Sequence, residues 1–163
     1  MHVASKRTAL ILVLGLALLS GGLLLLLRHA SPLPAYDLVL EGGRAEFLNG
    51  QSVLRLRADT RLSITLRPRS AVTQRVFVLA LMRQGAAQQR WPVFFDQTAH
   101  GTLRLQGTAQ ELLPSARGRL LLTIYLGSQP IPWIVAATCP AGWLRRLLPQ
   151  LQTLRAEVRV DEA

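Results

Sequence analysis

Three histidines and one cysteine are the residues of this chain best suited to acid–base, nucleophilic or metal chemistry. His100 lies in a polar turn, QTAHGT, close after Asp96. A metal site needs three or four converging ligands, and no second His and no Cys stands near this pair. The pair therefore reads as a solvated turn. His2 and His29 flank a long apolar stretch and are not expected to join a site. Cys139 is the single cysteine, so an intramolecular disulfide is excluded. Set between Thr138 and Pro140, it reads as a small buried apolar residue. An intermolecular disulfide is the functional alternative. There is no G-x-S-x-G elbow, no Walker loop and no dinucleotide fingerprint; Gly42-Gly43 falls between strands rather than before a helix. The carboxylates are scattered, with no suggestion of a catalytic pair. The expectation is no catalytic, cofactor-binding or metal-binding residue, no cofactor and no enzyme.

What remains is surface chemistry. Ala141 to Leu148, AGWLRRLL, reads as a short amphipathic helix between Pro140 and Pro149. Trp143, Arg145 and Arg146 on it form a possible membrane or partner surface, with Trp at the head-group level and Arg reaching phosphates. The alternative is a crossover helix that caps a β domain. Trp91 and Trp133 stand next to prolines and could line a peptide groove, although edge and core packing explains them as well.

The chain carries a net charge of +10, and every basic residue but Lys6 is Arg. Abundant Ala, Leu and Arg is what a GC-rich genome produces. Scattered Arg with few interleaved aromatics lacks the footprint of a nucleic-acid binder, so no nucleic-acid partner is expected. Attraction to anionic head groups or to an acidic polymer fits better. No small-molecule substrate is evident.

These candidates must be positioned by two regions. Thr8 to Leu27, TALILVLGLALLSGGLLLLL, holds no charge, and eleven of its twenty residues are Leu. At ~1.5 Å per residue it reaches about 30 Å, the thickness of a bilayer core. Its leucines favour insertion by roughly 3 to 6 kcal/mol. It reads as a single transmembrane helix, a signal anchor. A cleaved signal peptide is the rival, with Lys6-Arg7 as its n-region and Ser20 and Gly22 as a cleavage site. Cleavage there leaves a chain beginning with five leucines, and the apolar run exceeds the ~7–15 residues of a signal h-region. The domains expected are a cytoplasmic N-terminus over 1–7, the helix over 8–27, a Pro-containing tether over 28–35 and an extracytoplasmic domain over 36–163. Without Lys6 and Arg7 that outer part has 17 basic and nine acidic residues, or +8.

From Tyr36 the pattern has period two, the strand signature. YDLVLE (36–41) ends at Gly42-Gly43. A short strand over 44–48 leads to Asn49-Gly50, a strong hairpin signal. SVLRLR (52–57) and RLSITLR (61–67) alternate, with Leu62, Ile64 and Leu66 inward and Arg61, Ser63, Thr65 and Arg67 outward. VFVLALM (76–82) is apolar on both faces and reads as a strand covered on both sides. A polar loop over 84–89 precedes a short edge strand, RWPVFF (90–95), then TLRLQ (102–106). AQELL (109–113) reads as one helical turn. RLLLTIYL (119–126) puts Leu120, Leu122, Ile124 and Leu126 on one face. A strand over 133–137 and a last one, LRAEVRV (154–160), complete about eight strands with two short helices. The fold class expected is all-β, an antiparallel immunoglobulin- or fibronectin-like β-sandwich preceded by a transmembrane helix.

YDLVLEGG, RLSITLRP, VFVLALMRQG, GTLRLQGTAQELLP and RLLLTIYLG together resemble a β-sandwich module of membrane-anchored envelope proteins of high-GC proteobacteria, myxobacteria among them. In some of those the module follows a membrane helix and a cytoplasmic zinc-binding, anti-sigma-like domain. The seven residues ahead of the apolar stretch here hold no Cys and only His2, so sigma binding is not expected to carry over. The resemblance implies an extracytoplasmic accessory or sensor module.

The function expected is a single-pass inner-membrane protein that displays a periplasmic β-sandwich for protein–protein contacts, with the lipid bilayer and another envelope protein or a second copy as partners. A sensor or accessory subunit of an envelope-stress complex is the second reading. An envelope hydrolase is the third, with no constellation behind it.

Overall fold

In a computed structural model the chain divides into two units, 1–31 and 32–163. The structure describes residues 32–48, 51–114, 116–131 and 150–161, all within the second unit. The stretch 8–27, the strand expected over 133–137 and the helix expected over 141–148 lie outside the described residues. Among those described, no helix is long and apolar enough to cross a membrane.

The described residues are mostly strand. In chain order they form β1 (Tyr36–Glu41), β2 (Arg44–Leu48), β3 (Gln51–Leu56), β4 (Arg61–Pro68), β5 (Phe77–Gln84), β6 (Ala87–Arg90), β7 (Asp96–Gln97), β8 (Leu103–Thr108), helix α1 (Ala109–Leu112), β9 (Gly118–Gly127) and β10 (Gln152–Val160). Two sheets result. One has the order β1-β4-β8-β7, the other β2-β3-β10-β9-β5-β6.

Alternation drives both sheets into one shared core. In β4, Leu62, Ile64 and Leu66 are buried, and in β9, Leu120, Leu122, Ile124 and Leu126 are buried. They meet in a single cluster with Leu103 and Leu105 of β8, Leu56 of β3, Ala80 and Met82 of β5, and Val158 and Val160 of β10. Each such fully buried leucine contributes about 1.5–3 kcal/mol relative to exposure. Trp91 also reaches this core, and its indole Nε1 donates to the carbonyl of Leu112 at 2.7 Å.

β5 is covered on both faces, as its unbroken apolar run predicts. Ala80 and Met82 enter the shared core, while Leu79 and Leu81 pack with Tyr125 in a second cluster on the outward face.

The sheets differ from expectation in four places. The sandwich expected was antiparallel, but β10 pairs with β3 in parallel, Val158 opposite Leu54 and Val160 opposite Leu56. The polar segment expected as a loop forms the β5–β6 hairpin, with Gln84 opposite Ala87. Gly85, at φ +58°, supplies the positive φ that a two-residue hairpin turn requires. The strand therefore comes before Pro92 and ends at Arg90, since Pro92 has no N–H for a ladder. Thr65, expected outward in water, is buried although it lies on the outward face.

Gly42 and Gly43 carry the chain from β1 in one sheet to β2 in the other, at φ +113° and +66°. A Cβ on Gly42 would stand 2.0 Å from the carbonyl oxygen of Arg61. Only glycine fits such an approach.

At the other end of the domain Gln152, the first residue of β10, holds the start of β1. Its Oε1 accepts the Tyr36 backbone N–H at 3.0 Å, and its Nε2 donates to the Leu33 carbonyl at 3.0 Å.

Candidate functional site: an arginine row on the six-stranded sheet

The expected surface residues Trp143, Arg145 and Arg146 lie outside the described residues, as do Cys139 and Trp133. His100 lies in the turn after β7; its carbonyl accepts the Val72 N–H at 3.2 Å, and its side chain is exposed. Asp96 stands opposite Arg104 across the β7–β8 pair. Among the described residues, no three His, Cys, Asp or Glu side chains converge as metal ligands.

The outward face of the six-stranded sheet carries something that the linear pattern does not show. Arg44 of β2 is opposite Arg55 of β3, Arg55 is opposite Arg159 of β10, and Arg159 is opposite Arg119 of β9. Four adjacent strands thus place arginine in one cross-strand row. Strands lie about 4.8 Å apart, so the row spans about 14 Å. Like charges directly opposite each other are unfavourable in a sheet.

Three carboxylates reduce the repulsion. Arg55 Nη1 lies 2.8 Å from Glu46 Oε1, and Arg55 Nε also bonds to Asp161. Arg119 bonds to Glu157, and Arg159 Nε lies 3.7 Å from Asp161 Oδ1. The Asp161 and Glu46 hydrogen bonds hold the Arg55 guanidinium more firmly protonated than usual.

These pairs leave other cations free. Arg44 and Arg57 line a shallow depression together with Arg55, Thr60 and Asp161. Arg83 and Arg155 line a second with Ser52, Arg119 and Glu157. All four are exposed, and none has a carboxylate within salt-bridge distance among the described residues. Arg90 of β6, opposite the outward-facing Leu81, lies on this face too, so among the described residues eight arginines stand there against three carboxylates.

The outward face of the four-stranded sheet is different. There Asp37 is opposite Arg67, and Asp96 is opposite Arg104. Asp37 also bonds to Arg69 at 3.0 Å, which holds its carboxyl below the usual range. On that side acid stands opposite base across the strands, whereas cations line up on the other.

No family model, curated protein or solved structure matches this chain.

Proposed function

We propose that this chain is a membrane-anchored binding module. Residues 8–27 span the inner membrane as a signal anchor, 28–35 form the tether, and the domain beyond stands in the periplasm as an immunoglobulin- or fibronectin-like β-sandwich. It acts through contacts rather than catalysis, and its partner is a component of the envelope. The observation that carries this reading is the outward face of the six-stranded sheet, where the arginine row and its neighbours outnumber their carboxylates, whereas on the four-stranded sheet Asp37 and Asp96 stand opposite Arg67 and Arg104. The two sheets with one shared core support the sandwich, and the charge-free length of 8–27 supports the anchor.

Fractionation tests the anchor. The full-length chain with a C-terminal tag stays in the membrane pellet through an alkaline wash. Protease added to spheroplasts removes the tag. A soluble form that starts near Leu23, or a tag protected inside intact spheroplasts, overturns this reading.

A further inference from the structure

We infer that β2, the outer edge of the six-stranded sheet, pairs with β2 of a second copy of this chain, Arg44 of each copy against Glu46 of the other. The inference rests on the binding-module reading and deepens it by naming one partner.

The edge comes first. β2 is the outermost strand of its sheet, and among the described residues it pairs on one side only, with β3. A strand so placed presents a row of backbone N–H and C=O groups that another strand can take up. Arg44 and Ala45 are exposed, and Phe47 is 81% exposed. A polypeptide strand answers both the backbone groups and the ring. A sugar polymer or a head-group layer has no matching ladder.

Charge then selects the occupant. Arg44 and Glu46 share one face of β2, and Ala45 lies between them on the other. Two copies related by a two-fold axis normal to the sheet run antiparallel and keep their faces, so each register is centred on one residue. Centred on Arg44, the pairing sets cation against cation; centred on Glu46, it sets acid against acid. Centred on Phe47 or Leu48, it gives neither charge an opposite. Centred on Ala45, it sets Arg44 opposite Glu46 of the second copy twice over. Arg44 has no carboxylate within salt-bridge distance among the described residues. Glu46 gives Oε1 to Arg55, which leaves Oε2 for a second guanidinium.

The other edges lack this self-complementarity. β6 carries Arg90 and no acid, β1 carries Asp37 and Glu41 and no base, and β7 is two residues long. An axis normal to the sheet also leaves both arginine faces on one side of the pair.

The test uses the full-length chain in an uncharged detergent, with Cys139→Ser to remove the native thiol. Opposite residues of an antiparallel pair have Cβ atoms about 4.5–5.5 Å apart, within reach of a disulfide after a small adjustment. Ala45→Cys should therefore cross-link two copies on mild oxidation. In the same register the two copies of residue 47 stand about 14 Å apart, so Phe47→Cys should cross-link far less. Adding Arg44→Glu, or separately Glu46→Arg, to Ala45→Cys sets like charges opposite and should cut the cross-linked yield about tenfold. Mixing the two charge variants sets unlike charges opposite again and should restore the yield, as a disulfide between one variant and the other. Only folded chains regain it, so the mixture also controls for folding. Four results overturn the inference: no cross-link at Ala45→Cys, a stronger one at Phe47→Cys, an undiminished yield in either charge variant, or no recovery on mixing. The register is read in detergent whether or not 8–27 anchors the chain, so failure here and failure of the alkaline-wash test are separate results.

Discussion

Trp91 and Leu112 are joined by an indole-to-carbonyl hydrogen bond of 2.7 Å. Leu112 is the last residue of α1, where a helix leaves carbonyls without intrahelical partners. Trp91 fills one of these and packs its ring, 3% exposed, against both sheets. Trp91→Phe keeps most of the ring volume but orphans a carbonyl, and should cost about 1–3 kcal/mol. Trp91→Ala also opens a cavity and should cost about 3–5 kcal/mol. Urea unfolding followed by circular dichroism measures both, and equal costs would show that the hydrogen bond is incidental.

Thr108 and Glu111 close a reciprocal cap at the other end of the same helix. The Thr108 hydroxyl accepts the Glu111 N–H at 3.2 Å, and the Glu111 carboxylate accepts the Thr108 N–H at 2.7 Å. That second bond holds the Glu111 carboxyl below its ordinary value of 4.5. Folding then releases protons from this group, so its contribution is present above pH 4.5 and fades as pH falls through the lower folded value. The stability gap between the parent and Glu111→Ala should therefore be widest near neutrality and narrow in acid. Thermal melts across pH 2.5 to 7 check this, and a gap that widens in acid contradicts the sign. Thr108→Ala should cost about 1 kcal/mol.

Gly42 and Gly85 both have positive φ but should respond differently to Ala. At Gly85 a Cβ meets nothing within 4 Å, so the substitution carries only the left-handed backbone cost, about 1–2 kcal/mol. At Gly42 the new Cβ runs into the Arg61 carbonyl, and the corner between the sheets must move. Gly42→Ala should lower the melting temperature far more than Gly85→Ala. Similar shifts would show that the corner yields easily.

Ile64 and Arg55 sit on opposite kinds of face. Ile64 is fully buried in the shared core, so Ile64→Ala should cost about 2–5 kcal/mol and Ile64→Asp should unfold the domain. Arg55 is exposed, and its ion pairs are screened by water. Arg55→Ala should leave a folded domain with a melting temperature close to that of the parent.

The inward faces of β4, β9 and β10 were legible because period-two alternation is a local property. Asn49-Gly50 likewise announced the β2–β3 pairing, in which Leu48 lies opposite Gln51. The cap at α1 was also written locally, as Thr108-x-x-Glu111, the spacing of a capping box, although only a helical turn was read there. The β5–β6 hairpin was obscured because Ala87 to Arg90, AQQR, is exposed throughout and has no apolar alternation to reveal a strand. The arginine row was illegible for a different reason. Arg44, Arg55, Arg119 and Arg159 become neighbours only through pairings between distant segments, above all the parallel contact of β3 with β10. The surface residues Trp143, Arg145 and Arg146 lie outside the described residues, so the site argued from the structure and the site expected from the sequence share no residue.

The place of β10 has a consequence for how the domain is made. The last of the described strands is third in its sheet, between β3 and β9. A chain made from its N-terminus completes β2–β3 and β9–β5–β6 before Gln152 to Val160 is available to pair with both. Each waits with an open edge, a template for mispairing with other chains. Closure comes in one late step, when Gln152 to Val160 emerges and fills the gap. Long-range pairing of that kind folds slowly. A nascent chain that stops short of Gln152 therefore presents two half-sheets with open edges.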